Sequence, residues 1–316
     1  QGQGQDGAGL FVGQADQAAV FLQGARIGDQ LDQGQHVAGR PVLGLTHRAE
    51  SAAALAAAGI PAVACDLTGL DSVMAAATAV TKTSCPAKIH IVHCAASGRG
   101  GRSEAYRAIY LEGCRNLRAA FPQADQVFFT SSTSVYPHIG GEIVTESTPA
   151  GPDRQTGQIL RQTEQETLAT GGIVGRLAGI YGPGRSVLLK NFLAGQSVID
   201  VRREPPATPD GRWVNQIHVQ DAARAIAHLL QLDLPTDAPR LFNIADSTPL
   251  LQRPLFTRLA QRFQRPLPPE APPDLDRKRG WTHKQVSNAR LLATGWEPLY
   301  PDWFSALDAG EIMNDQ

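Results

Sequence analysis

Two clusters in the chain carry residue types that hold metals or phosphates. His90, His93 and Cys94 fall within five residues of one another. Tetrahedral coordination needs convergent ligands. On an extended strand, side chains alternate between faces, so His90 and Cys94 share one face and His93 takes the other. No metal site is therefore expected. A Gly-x-Gly-x-x-Gly string occurs at Gly2, Gly4 and Gly7. A phosphate loop must be aimed by a preceding strand, and none precedes these glycines, so the string reads as compositional. The four cysteines, Cys65, Cys85, Cys94 and Cys114, form no CxxC pair and read as buried thiols of a reducing compartment. The basic run Arg277, Lys278, Arg279 reads as a solvated surface.

The elements that must position any chemistry form a regular rhythm. Residues 1–17 are rich in Gln and Gly, with no sustained apolar period, and read as a loose leader. Apolar runs follow at Ala18–Leu22, Pro41–Leu45, Ala62–Cys65, Ile89–Cys94, Val127–Thr130 and Ile173–Leu177. Helix-compatible stretches separate them at Ala49–Ala58, Ser72–Val80, Ser103–Phe121 and Gln158–Thr170. Buried strands alternating with helices imply a parallel sheet covered on both faces. The expected fold class is thus α/β, a doubly wound, Rossmann-like parallel sheet with a smaller C-terminal substrate lobe. Ligands of such sheets bind beyond the carboxyl ends of the strands. The dinucleotide domain is expected over 18–181 and the lobe over 182–316, with 213–245 returning to the sheet through a helix at Asp221–Leu232 and a strand at Leu241–Ile244. A further helix is expected at Arg253–Phe263, and Asp221 is expected to cap the helix that follows it.

Composition excludes some classes of partner. The net charge is -1 and charged residues make up 19% of the chain, so no field favours nucleic acid. No apolar stretch approaches membrane-spanning length, and no secretion signal is read. A cytoplasmic protein with a small-molecule substrate is expected.

Five strings in order then resemble one family, the NAD-dependent epimerase/dehydratases of the extended short-chain dehydrogenase/reductase group. VHCAAS (Val92–Ser97) resembles its fourth strand end, and FFTSSTSVYP (Phe128–Pro137) its fifth strand and the catalytic Ser/Thr turn. GRLAGIYGPGR (Gly175–Arg185), NQIHVQDAARAI (Asn215–Ile226) and VSNARLLATGWEP (Val286–Pro298) are similar to later elements. The resemblance implies a nicotinamide dinucleotide. It places cofactor contacts at Ala25, Gly28, Arg48, Asp66, Leu67, Ala95, Ala96, Thr130 and Ala178. The family's glycine triplet falls on Leu22, Ala25 and Gly28, of which only Gly28 keeps its glycine. Arg48 stands near the position where an acid would bind the ribose of NAD, and a guanidinium suits a 2′-phosphate, so NADP is favoured over NAD. Asp66 has a competing role, capping the next helix. The resemblance also implies that two chains can pair as a homodimer through a four-helix interface.

The family's catalytic set is largely replaced. A Tyr acts as acid/base with a Lys four residues on, because a phenol of pKa about 10 needs a nearby cation to react near neutrality. Here the Tyr falls on Thr156, the Lys on Leu160 and the helix Asn on Tyr110. Ser132 matches the family Ser/Thr, although bonding its own turn is an equal alternative. Tyr110 or Tyr136 is left as a substitute phenol, with Arg161 or Arg185 as its cation. Ser134, Arg185 and Arg212 are expected at the substrate, where fixed guanidinium forks suit phosphate or carboxylate. The expected activity is an atypical epimerase, dehydratase or reductase on a sugar-like or nucleotide-sugar-like substrate. The alternative is a non-catalytic dinucleotide-binding or redox-sensing regulator.

Overall fold

Short Val/Ile/Leu-rich runs, bounded by turns and separated by amphipathic stretches, fold as buried parallel strands joined by helices. The computed structural model describes residues 8–12, 42–83, 89–96, 103–275 and 280–312. Its central sheet has seven strands: β1 (Ala8–Val12), β2 (Val42–Thr46), β3 (Ala62–Ala64), β4 (Ile89–His93), β5 (Gln126–Ser132), β6 (Ile173–Leu177) and β7 (Leu241–Ile244). Their order across the sheet is β7-β6-β5-β4-β1-β2-β3. The pairs β1–β2, β1–β4, β2–β3 and β4–β5 are all parallel. The order reverses between β1 and β4, which is the switch point where open α/β sheets bind ligands.

The helices are α1 (Ala49–Ala57), α2 (Leu70–Thr83), α3 (103–120), α4 (Gln155–Ala169), α5 (Val219–Gln231) and α6 (Gln252–Phe263). In α2, Val73, Ala76 and Ala77 recur at helical spacing and are buried, as an amphipathic sheet-covering helix requires. Helix α3 carries a π-helical segment, Arg107–Glu112, that periodicity does not reveal.

The chain divides into two compact units. The first comprises Gln1–Ser131, Gln155–Arg176 and Ala223–Phe242, and its core includes Leu45, Leu67, Ile91, Leu117 and Phe121. The second comprises Ser132–Arg154, Leu177–Ala222 and Asn243–Gln316, centred on Tyr181, Leu189, Ile199, Leu259 and Trp303. The second unit thus takes up Ser132–Arg154 and the residues from Leu177 onward, earlier than the break expected after residue 181. Only Ala223–Phe242 of the expected return, 213–245, belongs to the first unit.

Two further expectations change. Ala8–Val12 is not leader but a central strand, paired with β2 on one side and β4 on the other. Its neighbours supply the hydrogen bonds that its Gln/Gly-rich surroundings conceal. Asp221 does not cap its helix, which already begins at Val219. Its buried carboxylate accepts from the backbone N–H groups of Leu299 (2.7 Å) and Tyr300 (2.9 Å).

A buried charge network fixes the first unit. Glu164 on α4 and Arg176 on β6 are at most 1% exposed. The guanidinium donates bidentately to the carboxylate at 3.0 and 2.7 Å. Ser131 on β5 donates to the same carboxylate at 2.5 Å, and Arg161 adds a further donor. Charges taken out of water are tolerated only when paired and fully hydrogen-bonded. Glu164→Gln should leave the Arg176 guanidinium buried without its counter-charge and cost about 3–5 kcal/mol, measurable by urea unfolding. A loss within about 0.5 kcal/mol would show that the network does not hold the strands.

Candidate functional site

Strand β5 ends at Ser132, and this residue with the two hydroxyl residues that follow it, Thr133 and Ser134, forms one wall of a cleft. Ser132 caps the short 3₁₀ turn Thr133–Val135, its Oγ accepting from the Ser134 N–H at 3.2 Å. Ser132, Thr133 and Ser134 line a cleft of about 280 Å³ in the second unit. Ala178 and Gly179 line it after β6, Arg212 borders it just before the strand segment 213–218, and Asn215 borders it from within that segment. Gly280, Thr282 and Lys284 complete the lining. Of the expected residues, Ser132, Ser134, Ala178 and Arg212 are brought together here.

Arg212 is held from behind. Its Nε donates to the Asp200 carboxylate at 2.9 Å, and Asp200 is only 2% exposed. Gln252 at the start of α6 ties the pair together, its Oε1 accepting from the backbone N–H of Asp200 (2.9 Å) and of Arg212 (3.0 Å). Gly211 must be glycine for this packing. Its φ is +77°, and a Cβ there would lie 2.5 Å from Gln252 Oε1. Asn215 clamps the opposite segment: its Nδ2 donates to the Lys284 carbonyl at 2.9 Å, and its Oδ1 accepts from Val286 N–H at 2.7 Å.

Lys284 is a cleft-lining residue that the sequence reading did not single out. It lies two positions before the VSNARLL string, and its segment Gln285–Val286 pairs in parallel with Ile143–Val144. The side chain is 3% exposed, yet it reaches the cleft lining. Its Nζ donates to the Tyr136 carbonyl at 2.8 Å and to Thr282 Oγ1 at 3.0 Å. Burial, together with the nearby Arg212 charge, lowers its pKa to about 7. The same two causes, with burial again the larger, lower the pKa of His283 next to it, against an opposing pull from Glu142. The only available signal was a lysine placed just ahead of a recognisable string.

In the first unit, the ends of β2, β3 and β4 carry the expected cofactor residues. Thr46, at the end of β2, is buried and donates to the Arg48 carbonyl at 3.0 Å. Arg48 itself is exposed, and His47 lies 3.8 Å from Asp66. Asp66 Oδ1 accepts from the Thr68 N–H (2.9 Å) and hydroxyl (2.8 Å), so the carboxylate organises the turn ahead of α2. Asn116 donates to the Leu67 carbonyl at 2.8 Å, fixing that turn on α3, while the Leu67 side chain is fully buried. After β4, Ala95 is buried and Ala96 half-buried, and Thr130 donates to the His93 carbonyl at 3.0 Å. Small residues beside the switch point suit the close approach of a nicotinamide dinucleotide. Ala25 and Gly28, with Leu22, lie outside the described residues.

Several expected chemical groups are placed elsewhere. Tyr136 is fully buried, its hydroxyl within 2.9 Å of the Thr145 carbonyl and of Asn243 Oδ1, so its phenol is a packing element and not a wall of the cleft. Tyr110 sits on the π-helical segment among the rings of Tyr106, His93 and Phe129. Arg185 closes a turn through backbone bonds with Gly182 and does not line the cleft. Thr156 is half-buried and Leu160 buried on α4, so neither supplies a phenol or a cation. His93 Nε2 donates to the Ile109 carbonyl at 2.9 Å, and burial lowers its pKa, keeping the ring neutral. Among the described residues, no group of three or more His, Cys, Asp or Glu could hold a metal ion.

Comparison with known proteins agrees with this architecture. The chain matches the sequence model of the NAD dependent epimerase/dehydratase family over residues 24–245. Curated protein sequences give no match. A Methylobacillus flagellatus structure assigned as an NAD-dependent epimerase/dehydratase is 29% identical, with a TM-score of 0.68 over 96% of this chain and 97% of that one. The Thermus thermophilus UDP-glucose 4-epimerase in complex with NAD is 18% identical, TM-score 0.68, covering 92% of this chain and 94% of its own. A human epimerase family protein with NADPH is 16% identical, TM-score 0.67, covering 95% and 98%. The latter two likenesses concern the fold. No described helix is long and apolar enough to cross a membrane.

The placement of Tyr136 has a measurable consequence. Tyr136→Phe should lower stability by about 1–3 kcal/mol by leaving buried acceptors without a donor, while turnover per folded molecule falls by less than the roughly 10²-fold that loss of an acid/base group costs. Urea unfolding and a rate assay on the same preparation check both parts. A large fall in rate at retained stability would return the phenol to the chemistry.

Proposed function

Since the chain belongs to the NAD-dependent epimerase/dehydratase family, we propose that it binds NADP, or less strongly NAD, and transfers hydride to or from a small sugar-like or nucleotide-sugar-like substrate. The observation that carries this reading is the cleft in which Ser132 and Ser134 meet a braced Arg212. A guanidinium held by Asp200 and Gln252 keeps its geometry without a substrate, as recognition of a phosphate or carboxylate requires. The hydroxyls beside it suit the oxygen-rich ring of a sugar. The dinucleotide would be held by Arg48, Asp66, the Leu67 turn, Ala95, Ala96 and Thr130, with Ala25 and Gly28 contributing from the segment after β1. When bound, it supplies a hydride acceptor or donor. The protein positions the substrate oxygen at Ser132 Oγ. The proposed setting is the cytoplasm, with the chain acting alone or as a homodimer.

A second reading is a dinucleotide-binding regulator without turnover. Thr156 and Leu160, standing where a tyrosine and a lysine are expected, favour it. Turnover separates the two readings. Purified chain with NADP and UDP-glucose, monitored by the appearance of reduced nicotinamide, should show a rate that Arg212→Gln lowers by about 10- to 100-fold through loss of a charge-assisted contact. Arg48→Asp should raise KM for NADP more than for NAD. Absence of turnover with nucleotide sugars, free sugars and simple carbonyl compounds alike would favour the regulator.

A further inference from the structure

The replaced tyrosine and lysine leave the cleft in need of a group that can exchange a proton near neutral pH. Lys284 is the described residue that meets this need by position. It lines the cleft with Ser132 and Ser134, and it comes from the C-terminal segment instead of α4. Its hydrogen bonding fits a neutral amine. Two protein acceptors, the Tyr136 carbonyl and Thr282 Oγ1, match the two N–H bonds of an –NH₂ group and leave its lone pair over. An ammonium in the same place would present a third N–H, for which the described residues provide no further acceptor.

The surroundings also disfavour charge on Nζ. Arg212 faces it across the cleft lining, and the carboxylate nearest to that guanidinium, Asp200, is already bonded to it. His283 is the adjacent residue, with Glu142 acting on it, and Arg154 passes beside Gly280. No carboxylate is bonded to Lys284 among the described residues.

We infer that Lys284 is the acid/base residue of the cleft, taking the proton of a substrate hydroxyl in oxidation and returning it to the oxygen in reduction. This inference rests on the proposed hydride-transfer function. In oxidation, the substrate O–H bond breaks as an N–H bond forms on Nζ, and the amine becomes an ammonium. The C–O bond would become a carbonyl, and a nicotinamide dinucleotide, when bound, would supply the acceptor for the hydride lost from the carbon. Ser132 Oγ is placed to hold the substrate oxygen while the proton moves. With its pKa lowered to about 7 by burial and by Arg212, the residue offers both amine and ammonium near neutral pH, as this exchange needs.

Competitive labelling of the cofactor-free protein with acetic anhydride, read peptide by peptide across pH 5 to 10 (roughly the span between carboxylate and lysine titration), tests the amine directly. Lys284 should react with a midpoint near 7, and Arg212→Gln should move that midpoint upward. A midpoint near 10, or no reaction in the native protein, overturns the assignment. With UDP-glucose and NADP as the probe reaction, wild-type kcat/KM should fall below pH about 7, and Lys284→Met should lose about 10²–10⁴-fold together with that acid limb. Lys284→Arg keeps a cation and both donated bonds but cannot release its proton, so it should be as impaired as Lys284→Met. Full activity in Lys284→Arg would make the residue a structural tether and overturn the inference. If the wild type turns over none of the substrates tested, the proposed function fails. A labelling midpoint near 7 would then still establish the neutral amine.

Discussion

The turn from Ser132 to Tyr136 is the constraint on which the candidate site depends, and Tyr136 fixes it from both ends of the residue. Its hydroxyl is buried against Thr145 and Asn243, and its carbonyl accepts from Lys284 Nζ. A phenol with its hydrogen bonds satisfied inside the fold is rigid, because moving it would strand buried polar groups. The three hydroxyl residues ahead of it are therefore presented in one conformation, with Ser132 closing the turn on the Ser134 N–H. The same residue that looks chemically active in sequence thus serves as the post on which the chemistry is mounted.

Around that post, the two charged residues that line the cleft are held differently. Arg212 leans on Asp200, which is organised by Gln252. Lys284 has no anionic partner among the described residues, and burial together with the Arg212 charge lowers its pKa to about 7. Burial penalises an unpaired ammonium more than it penalises an amine, so the fold trades an ion for a base. Contrast Glu164 in the first unit, equally buried but surrounded by Arg161, Arg176 and Ser131. One buried ionisable group is locked in a network and the other lines a cleft, and that difference separates support from chemistry.

Much of the fold was legible because buried parallel strands leave continuous apolar runs. Ile173–Leu177 and Leu241–Ile244 were read to the residue, and the helices from Ala49 and Ser103 start where their patterns begin. Ala8–Val12 was hidden because its five residues are embedded in Gln and Gly, and a more apolar run at Ala18–Leu22 competed for the same place in the order. Asp221 was misread because capping is a local rule, whereas its carboxylate is claimed by backbone N–H groups far along the chain, at Leu299 and Tyr300. At the cleft, Ser132, Ser134 and Ala178 lie in strings that keep their order, and Arg212 lies just ahead of another. Lys284 was not singled out, since its value comes from burial and from the positions of Tyr136 and Thr282, which no spacing encodes. Arg185 was the opposite case, a suggestive charge that folds into its own turn.

Binding of a nicotinamide dinucleotide at the carboxyl ends of this sheet is the proposal on which the functional reading rests. Calorimetric titration of the purified chain with NADPH and NADH measures it most directly. Saturable heat at one site per chain, stronger for NADPH than for NADH, is the predicted result. No heat from either coenzyme at millimolar concentration would contradict it.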